Sequence, residues 1–178
     1  SSYEKSPLGR LEWVKLYGAL YGKSQAAEAF FEKEAARVRK VSEKESTGKT
    51  VAVFAVNSGG SVTVRASGDY LSAMIRQSGG KYLAAEKASE ESMRSTLNIQ
   101  MEDFYRIAKS ADVMIYNSTI EEPIGTVAKL KKKSPLLKKF KAVREGRAYC
   151  LPPGFFQNST KAADFMEDMN QVLKGEDR

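Results

Sequence analysis

Glu121 and Glu122 stand side by side ahead of Pro123. Paired carboxylates can share general acid–base work or begin a metal site. Neighbouring side chains on an extended segment diverge, however, and nothing nearby completes a coordination set. The pair reads better as an acidic helix start, where negative charge is favourable. Gly-Lys-Ser at 22–24 and Gly-Lys-Thr at 48–50 resemble the end of a phosphate-binding loop. The glycine such a loop needs five positions earlier is replaced by Tyr17 and Glu43, and the second copy precedes a strand instead of following one. Neither is expected to hold a phosphate. Histidine is absent and Cys150 is the one cysteine. This excludes Ser-His-Asp and Cys-His catalysis, Cys/His zinc sites, histidine ligation of haem from this chain, and an internal disulfide. Cys150, in the strand-like run AYCLP, reads as a small buried apolar residue. No residue is expected to be catalytic, and no metal site or cofactor is expected.

Charge is uneven. The chain of 178 residues carries 29 Lys plus Arg against 22 Asp plus Glu, for a net +7. Residues 125–149 hold nine lysines and arginines against Glu145 alone, a local +8, which leaves −1 for everything else. Such a cluster is a solvated helix face, a surface for an anionic membrane or acidic partner, or a nucleic-acid site. The few aromatics near it (Phe140, Tyr149) do not interleave as a stacking platform would, so no nucleic-acid partner is expected.

Hydrophobic periodicity supplies the elements that must position these groups. Residues 8–21 read as a helix opened by Pro7, with apolar residues on several faces. Residues 24–45 read as one continuous charged helix, capped by Ser24 and roughly 33 Å long at 1.5 Å per residue. TVAVFAV (50–56) is a strand buried on both faces, and VTVRAS is a short extended piece. Helices are expected at 69–78, stopped by Gly79–Gly80, and at 101–109, 123–133, 136–141 and 159–173. Strands are expected at 111–118 and 146–153. This alternation predicts an α/β fold, a three-layer sandwich with a mostly parallel sheet, preceded by a long connecting helix.

Ligands of such sheets bind beyond the carboxyl ends of the strands. The loops expected there are Asn57–Ser67, Asn117–Pro123 and Pro152–Asn158. They offer Asn57, Ser58, Arg65, Asn117, Ser118, Thr119, Glu121, Glu122, Phe155, Phe156 and Gln157. Arg65 reads as a loop salt bridge or an anion clamp. Phe155–Phe156 reads as core filler or as the wall of an apolar pocket. Gly59–Gly60 gives a loop whose backbone a ligand can approach.

The succession PLGRLEWVKLYGALYGK, a long charged helix, KTVAVFAV, SGDYLSAMIRQSGG, EDFYRIAKSADVMIYNS and LLKKFKAVREGRAYCLPPGFF resembles the second half of an ABC-transporter substrate-binding protein. The type is the siderophore, haem and cobalamin class, in which two lobes are joined by one rigid helix. The resemblance implies that residues 1–23 are a remnant of the amino-side lobe, 24–49 the connecting helix and 50–178 the carboxyl-side α/β lobe. It implies capture of an iron-siderophore, haem or corrinoid between two lobes and delivery to a membrane permease, without enzyme activity. It places the protein outside the cytoplasm, in the periplasm or as a lipoprotein anchored on the cell surface. The loop residues above match the family's ligand loops by position, and Tyr70 and Tyr116 are tyrosines that could serve an iron-bearing ligand, Tyr116 unless it faces the sheet. Arg65→Ala is then expected to weaken an anionic ligand without unfolding the chain. Glu102 falls where the family contacts its permease. Apolar surface left by an absent lobe would favour self-association. The competing expectation is a small α/β enzyme acting on an anionic or phosphorylated substrate.

Overall fold

The computed structural model describes residues 4–85, 95–118, 127–152 and 154–176. Helix α1 (Pro7–Leu20) opens as expected: Pro7 takes the first turn, and the Ser6 hydroxyl accepts from the Gly9 N–H at 3.3 Å. Helix α2 (Ser24–Ser42) is continuous for 19 residues, about 28 Å. Two expectations are corrected here. Ser24 is the first helical residue and Lys23 sits at the cap without a side-chain bond, so Ser24 does not cap. The helix also ends at Ser42, not Glu45. In its last turn the Ser42 hydroxyl donates to the Val38 carbonyl at 2.9 Å, and the Glu43 N–H closes the helix on the Arg39 carbonyl.

The chain then enters a six-stranded sheet of β1 (Thr50–Val56), β2 (Val62–Arg65), β3 (Lys81–Tyr82), β4 (Thr96–Ile99), β5 (Val113–Tyr116) and β6 (Ala148–Cys150). The order is β4-β2-β1-β5-β6, and β3 extends the β2 edge along the opening of β1. Strands β1, β3, β5 and β6 run parallel, whereas β2 and β4 form an antiparallel wing. The wing corrects the expected Asn57–Ser67 loop: only a tight turn at 57–61 separates β1 from β2, closed by Asn57 N–H to the Ser61 carbonyl at 2.8 Å.

Alternation along β1 sends residues to opposite faces. Val51 and Val53 enter one core with Val113, Ile115 and the inner sides of α2, α3 (Tyr70–Gln77) and α7 (Ala162–Lys174). Ala52, Phe54 and Val56 enter the other with Met114, Tyr116, Phe104 of α4 (Met101–Ala108), Leu130 of α5 (Val127–Lys133) and Val143 of α6 (Lys141–Arg144). Leu137 and Phe140 from the 3₁₀ turn Pro135–Lys139 complete that layer. The chain is thus a three-layer α/β sandwich, as the alternation predicts.

Two further details match the sequence. Gly79, at φ +91°, ends α3 in a conformation that L side chains rarely adopt. Helix α1 buries Leu11 against Phe31 and Ala35 of α2. On its other side Trp13, Leu16, Tyr17, Leu20 and Tyr21 stay exposed. Among the described residues no helix is long and apolar enough to cross a membrane.

Candidate functional site

Strands β1, β5 and β6 release the chain at Asn57, Asn117 and Leu151, at one end of the sheet. The expected residues are placed unequally there. Asn57 is occupied by its own turn: its amide donates to the Ser61 hydroxyl at 2.9 Å, and its carbonyl oxygen accepts from Thr63 at 3.1 Å. Ser58 is exposed at the tip of that turn. The buried Ser118 hydroxyl donates to the Leu151 carbonyl at 3.1 Å and so joins the segments after β5 and β6. Asn117 is half-buried beside it, its N–H donating to the Phe54 carbonyl at 2.7 Å. Thr119, Glu121, Glu122 and Pro123 lie outside the described residues.

Arg65 is a salt bridge. It donates through Nε to Asp69 Oδ1 at 2.8 Å and through Nη2 to Oδ2 at 2.6 Å. Its side chain is only 12% exposed and that of Asp69 only 2%. Asp69 also accepts from the Leu71 N–H at 3.0 Å, capping α3, so the pair anchors a helix start. The guanidinium lies 4.5 Å from the Phe156 ring centre, in cation–π range. An anion clamp would have to break the Asp69 pair. Register adds a second reason: Arg65 pairs opposite Thr96 of β4, and the β1–β2 register runs Val56↔Val62 to Phe54↔Val64. Arg65 is therefore well below the lip of the sheet.

Tyr70 is buried, with the Arg10 guanidinium 3.9 Å above its ring. Burial pushes its hydroxyl up to about 12, against the opposing pull of Arg10. That corrects its expected place in the ligand wall, since no open face remains. Tyr116 is likewise enclosed in the second core. Cys150 is exposed, which corrects its expected burial; partial burial raises its thiol.

The segment after β6 forms the most open part of this edge. Phe155 stands edge-on to Phe156 at 5.2 Å and to Phe165 at 5.0 Å, a T-shaped cluster half-buried on the first core. Both alternatives for Phe155 hold: its inner side packs on the core while its outer side lines an open cavity of about 390 Å³. Pro152, Gly154, Asn158, Lys161, Asp164, Phe165 and Asp168 complete the lining. Gln157 is exposed nearby. Hydrogen bonding from Arg37 holds the Asp164 carboxyl below its ordinary value; burial opposes this, and Lys161 at 3.2 Å reinforces it.

Lys161, Asp164, Phe165 and Asp168 were not expected at a site. Their spacing of three, one and three puts them on one stripe of α7. In the sequence Phe165 reads as part of the apolar face of an amphipathic helix and the three charged residues as its solvated side. The cavity offers aromatic surface, one ammonium, two carboxylates and an amide. Among the described residues of its lining there is no paired nucleophile and base. Among the described residues no group of three His, Cys, Asp or Glu could hold a metal ion. The groups on this surface are ones that can stack and hydrogen-bond.

The family model described as "Periplasmic binding protein" matches residues 2–154. The chain belongs to the periplasmic binding protein family. Relatives of this periplasmic binding protein include an uncharacterized lipoprotein of Methanocaldococcus jannaschii, 29% identical over 176 residues, covering 97% of the chain and 41% of the relative. Among solved structures, the periplasmic heme binding protein HutB of Vibrio cholerae superposes at a TM-score of 0.71 and 15% identity, covering 93% of this chain and 64% of that one. An ABC-type Fe3+-hydroxamate transport system from Saccharomonospora viridis DSM 43017 follows at 0.68 and 16%, covering 92% and 54%. The likeness to these structures confirms the fold. The chain spans less than two thirds of each of these proteins.

Proposed function

We propose that this chain forms the connecting helix and carboxyl-side lobe of an extracytoplasmic substrate-binding component of an ABC importer. The observation that carries the reading is the family match across residues 2–154. In this reading residues 1–23 belong to the amino-side lobe, 24–49 to the connector and 50–178 to the lobe described above. The exposed stripe of Trp13, Leu16, Tyr17, Leu20 and Tyr21 on α1 supports the division, because a monomer gains nothing by leaving five large apolar residues together in water. That stripe seats a second lobe, or in its absence self-associates. The cargo is an iron-siderophore, haem or corrinoid, a class in keeping with what the two solved proteins are named for. The Phe155–Phe165 cavity supplies the aromatic wall for it, with Lys161 in its lining and the exposed Gln157 next along the chain to Asn158 of that lining. Glu102, exposed in the first turn of α4, is the permease contact. The lipoprotein relative supports a place on the outer side of a membrane, by a lipid anchor or free in the periplasm.

The test is a thermal-shift panel of a ferric hydroxamate, haemin and cobalamin on the two-lobed parent protein. A ligand at a hundred times its Kd adds about 2.7 kcal/mol to stability, so the true cargo raises Tm by several degrees. Lys161→Ala and Gln157→Ala together should reduce that shift while leaving the ligand-free Tm in place. No shift with any of the three would overturn the reading.

A further inference from the structure

The two helical layers of the sandwich differ sharply in charge. Helices α2, α3 and α7 carry six lysines and arginines against six carboxylates. On the opposite face α4, α5, the 3₁₀ turn Pro135–Lys139 and α6 carry nine against two. Packing displays this second set on the outside. Leu130, Leu137, Phe140, Ala142 and Val143 are all buried on the sheet, so the residues between them point outward. Lys132, Lys138, Lys139 and Arg144 are exposed, and among the described residues no carboxylate lies within ion-pair distance of any of the four.

We propose that this layer is a membrane-contacting surface, and that its partner is a bilayer presenting anionic lipid headgroups. Charge complementarity selects that occupant. The cores of protein–protein interfaces are depleted of lysine and built around aromatic anchors. Every exposed large apolar residue of the described chain is instead on α1 or, as Tyr21, at its C-cap, none on this layer. A single-stranded nucleic acid needs several stacking aromatics; Phe104 and Phe140 of this layer are buried, and Tyr105 is half-buried and packs edge-on against Phe140 at 5.1 Å. What remains is a broad array of flexible cationic side chains with no exposed large apolar anchor among the described residues, which suits a fluid array of phosphates. Juxtamembrane lysines act in this manner, adding attraction that decays within a Debye length of the surface. The surface would hold the lobe near the bilayer and shorten its search for a membrane partner. It does not depend on the importer reading, because any protein with this face would bind the same vesicles.

The test is co-sedimentation of the 178-residue chain with vesicles of phosphatidylcholine and phosphatidylglycerol at 3:1, against phosphatidylcholine alone. Binding is expected to the mixed vesicles only, and to fall at least tenfold between 50 and 500 mM salt. Lys132→Glu, Lys138→Glu, Lys139→Glu and Arg144→Glu together should remove it, since each charge lost is worth about fivefold. Lys23→Glu, Lys33→Glu, Lys40→Glu and Lys81→Glu change net charge equally at exposed positions elsewhere and should retain most of it. Equal loss in both variants would show that net charge acts instead of the face and would overturn the inference. So would absence of binding at 50 mM salt, or equal binding to neutral vesicles. Capture of duplex DNA or an acidic polypeptide in place of the vesicles would also overturn it.

Discussion

Arg37 of α2 grips both carboxylate oxygens of Glu167 on α7, Nε to Oε1 at 3.1 Å and Nη2 to Oε2 at 2.6 Å. The same guanidinium reaches Asp164 at 2.7 Å and Glu34 at 2.7 Å. One cation thus ties α2 to α7, across 130 residues of sequence, and fixes the long helix along the sandwich.

Arg37→Met should show the strength of that tie. Glu34 is the sensitive partner: its side chain is 8% exposed, and removing the arginine leaves it buried and unpaired. A loss of about 2 kcal/mol is expected, within the range for breaking a partly buried charge-assisted network. Urea unfolding measures it. A double-mutant cycle with Glu167→Gln should give a coupling energy well above the few tenths typical of surface pairs. A change within 0.5 kcal/mol, the usual range of surface substitutions, would mean that the network is incidental.

Arg65→Ala should unfold the lobe more readily, in contrast to the expectation from sequence. It strands Asp69, the cap of α3, in a 2% exposed position. Uncompensated buried charges cost about 3–5 kcal/mol. Arg65→Lys should recover only part, because an ammonium cannot reproduce the two-pronged bond. Asp69→Asn keeps an amide at the cap, so pairing it with Arg65→Ala should restore stability over Arg65→Ala alone. Chemical denaturation of the four proteins decides the matter; an unchanged midpoint for Arg65→Ala would return Arg65 to the ligand wall.

These residues also show what sequence can and cannot reveal. TVAVFAV could be placed because both faces of β1 are covered, so every position after Thr50 is apolar. β4 (TLNI) was missed because it is four residues long at the sheet edge with each residue at least partly open, so its polar–apolar alternation is too short to stand out. β3 is two residues long and carries no period at all. Arg65 and Asp69 are four apart, yet they span a strand end and a helix cap, so helical spacing rules do not find the pair. The cavity residues of α7 were hidden because a ligand-facing stripe and a solvent-facing stripe have the same composition.

Asp112 should govern part of the acid limb of stability. Burial pushes its carboxyl up, but the Lys141 ammonium at 2.7 Å and the Thr50 N–H and hydroxyl, each at 2.9 Å, outweigh it and hold the group at about 2. A carboxylate whose folded value lies below its ordinary 3.8 stabilises the protein above pH 4 and loses that contribution as pH falls toward 2. The contribution is of order 2 kcal/mol, at about 1.4 kcal/mol per unit. Asp112→Asn should therefore be less stable than the parent at pH 6, and the difference should shrink steadily between pH 4 and 2. A constant difference across that range would show that Asp112 does not titrate in it.

Gly18 sets the approach of α1 to α2. A Cβ built on Gly18 would fall 2.3 Å from the Ala27 Cβ, and the Lys23 carbonyl at 3.2 Å closes the other side. Both contacts are with short or backbone groups that cannot swing away. Gly18→Ala gains helix propensity of about 1 kcal/mol. Overpacking costs about 1–3 kcal/mol, and at 2.3 Å the steric term dominates. Net destabilisation is expected, with α1 displaced from α2 and its apolar stripe reoriented. The reciprocal variant Ala27→Gly removes the opposing methyl group. Combined with Gly18→Ala it should restore close packing, giving a double mutant more stable than Gly18→Ala despite the added glycine in α2. Propensity alone predicts the reverse order, so thermal unfolding of the two variants separates the steric account from the intrinsic one.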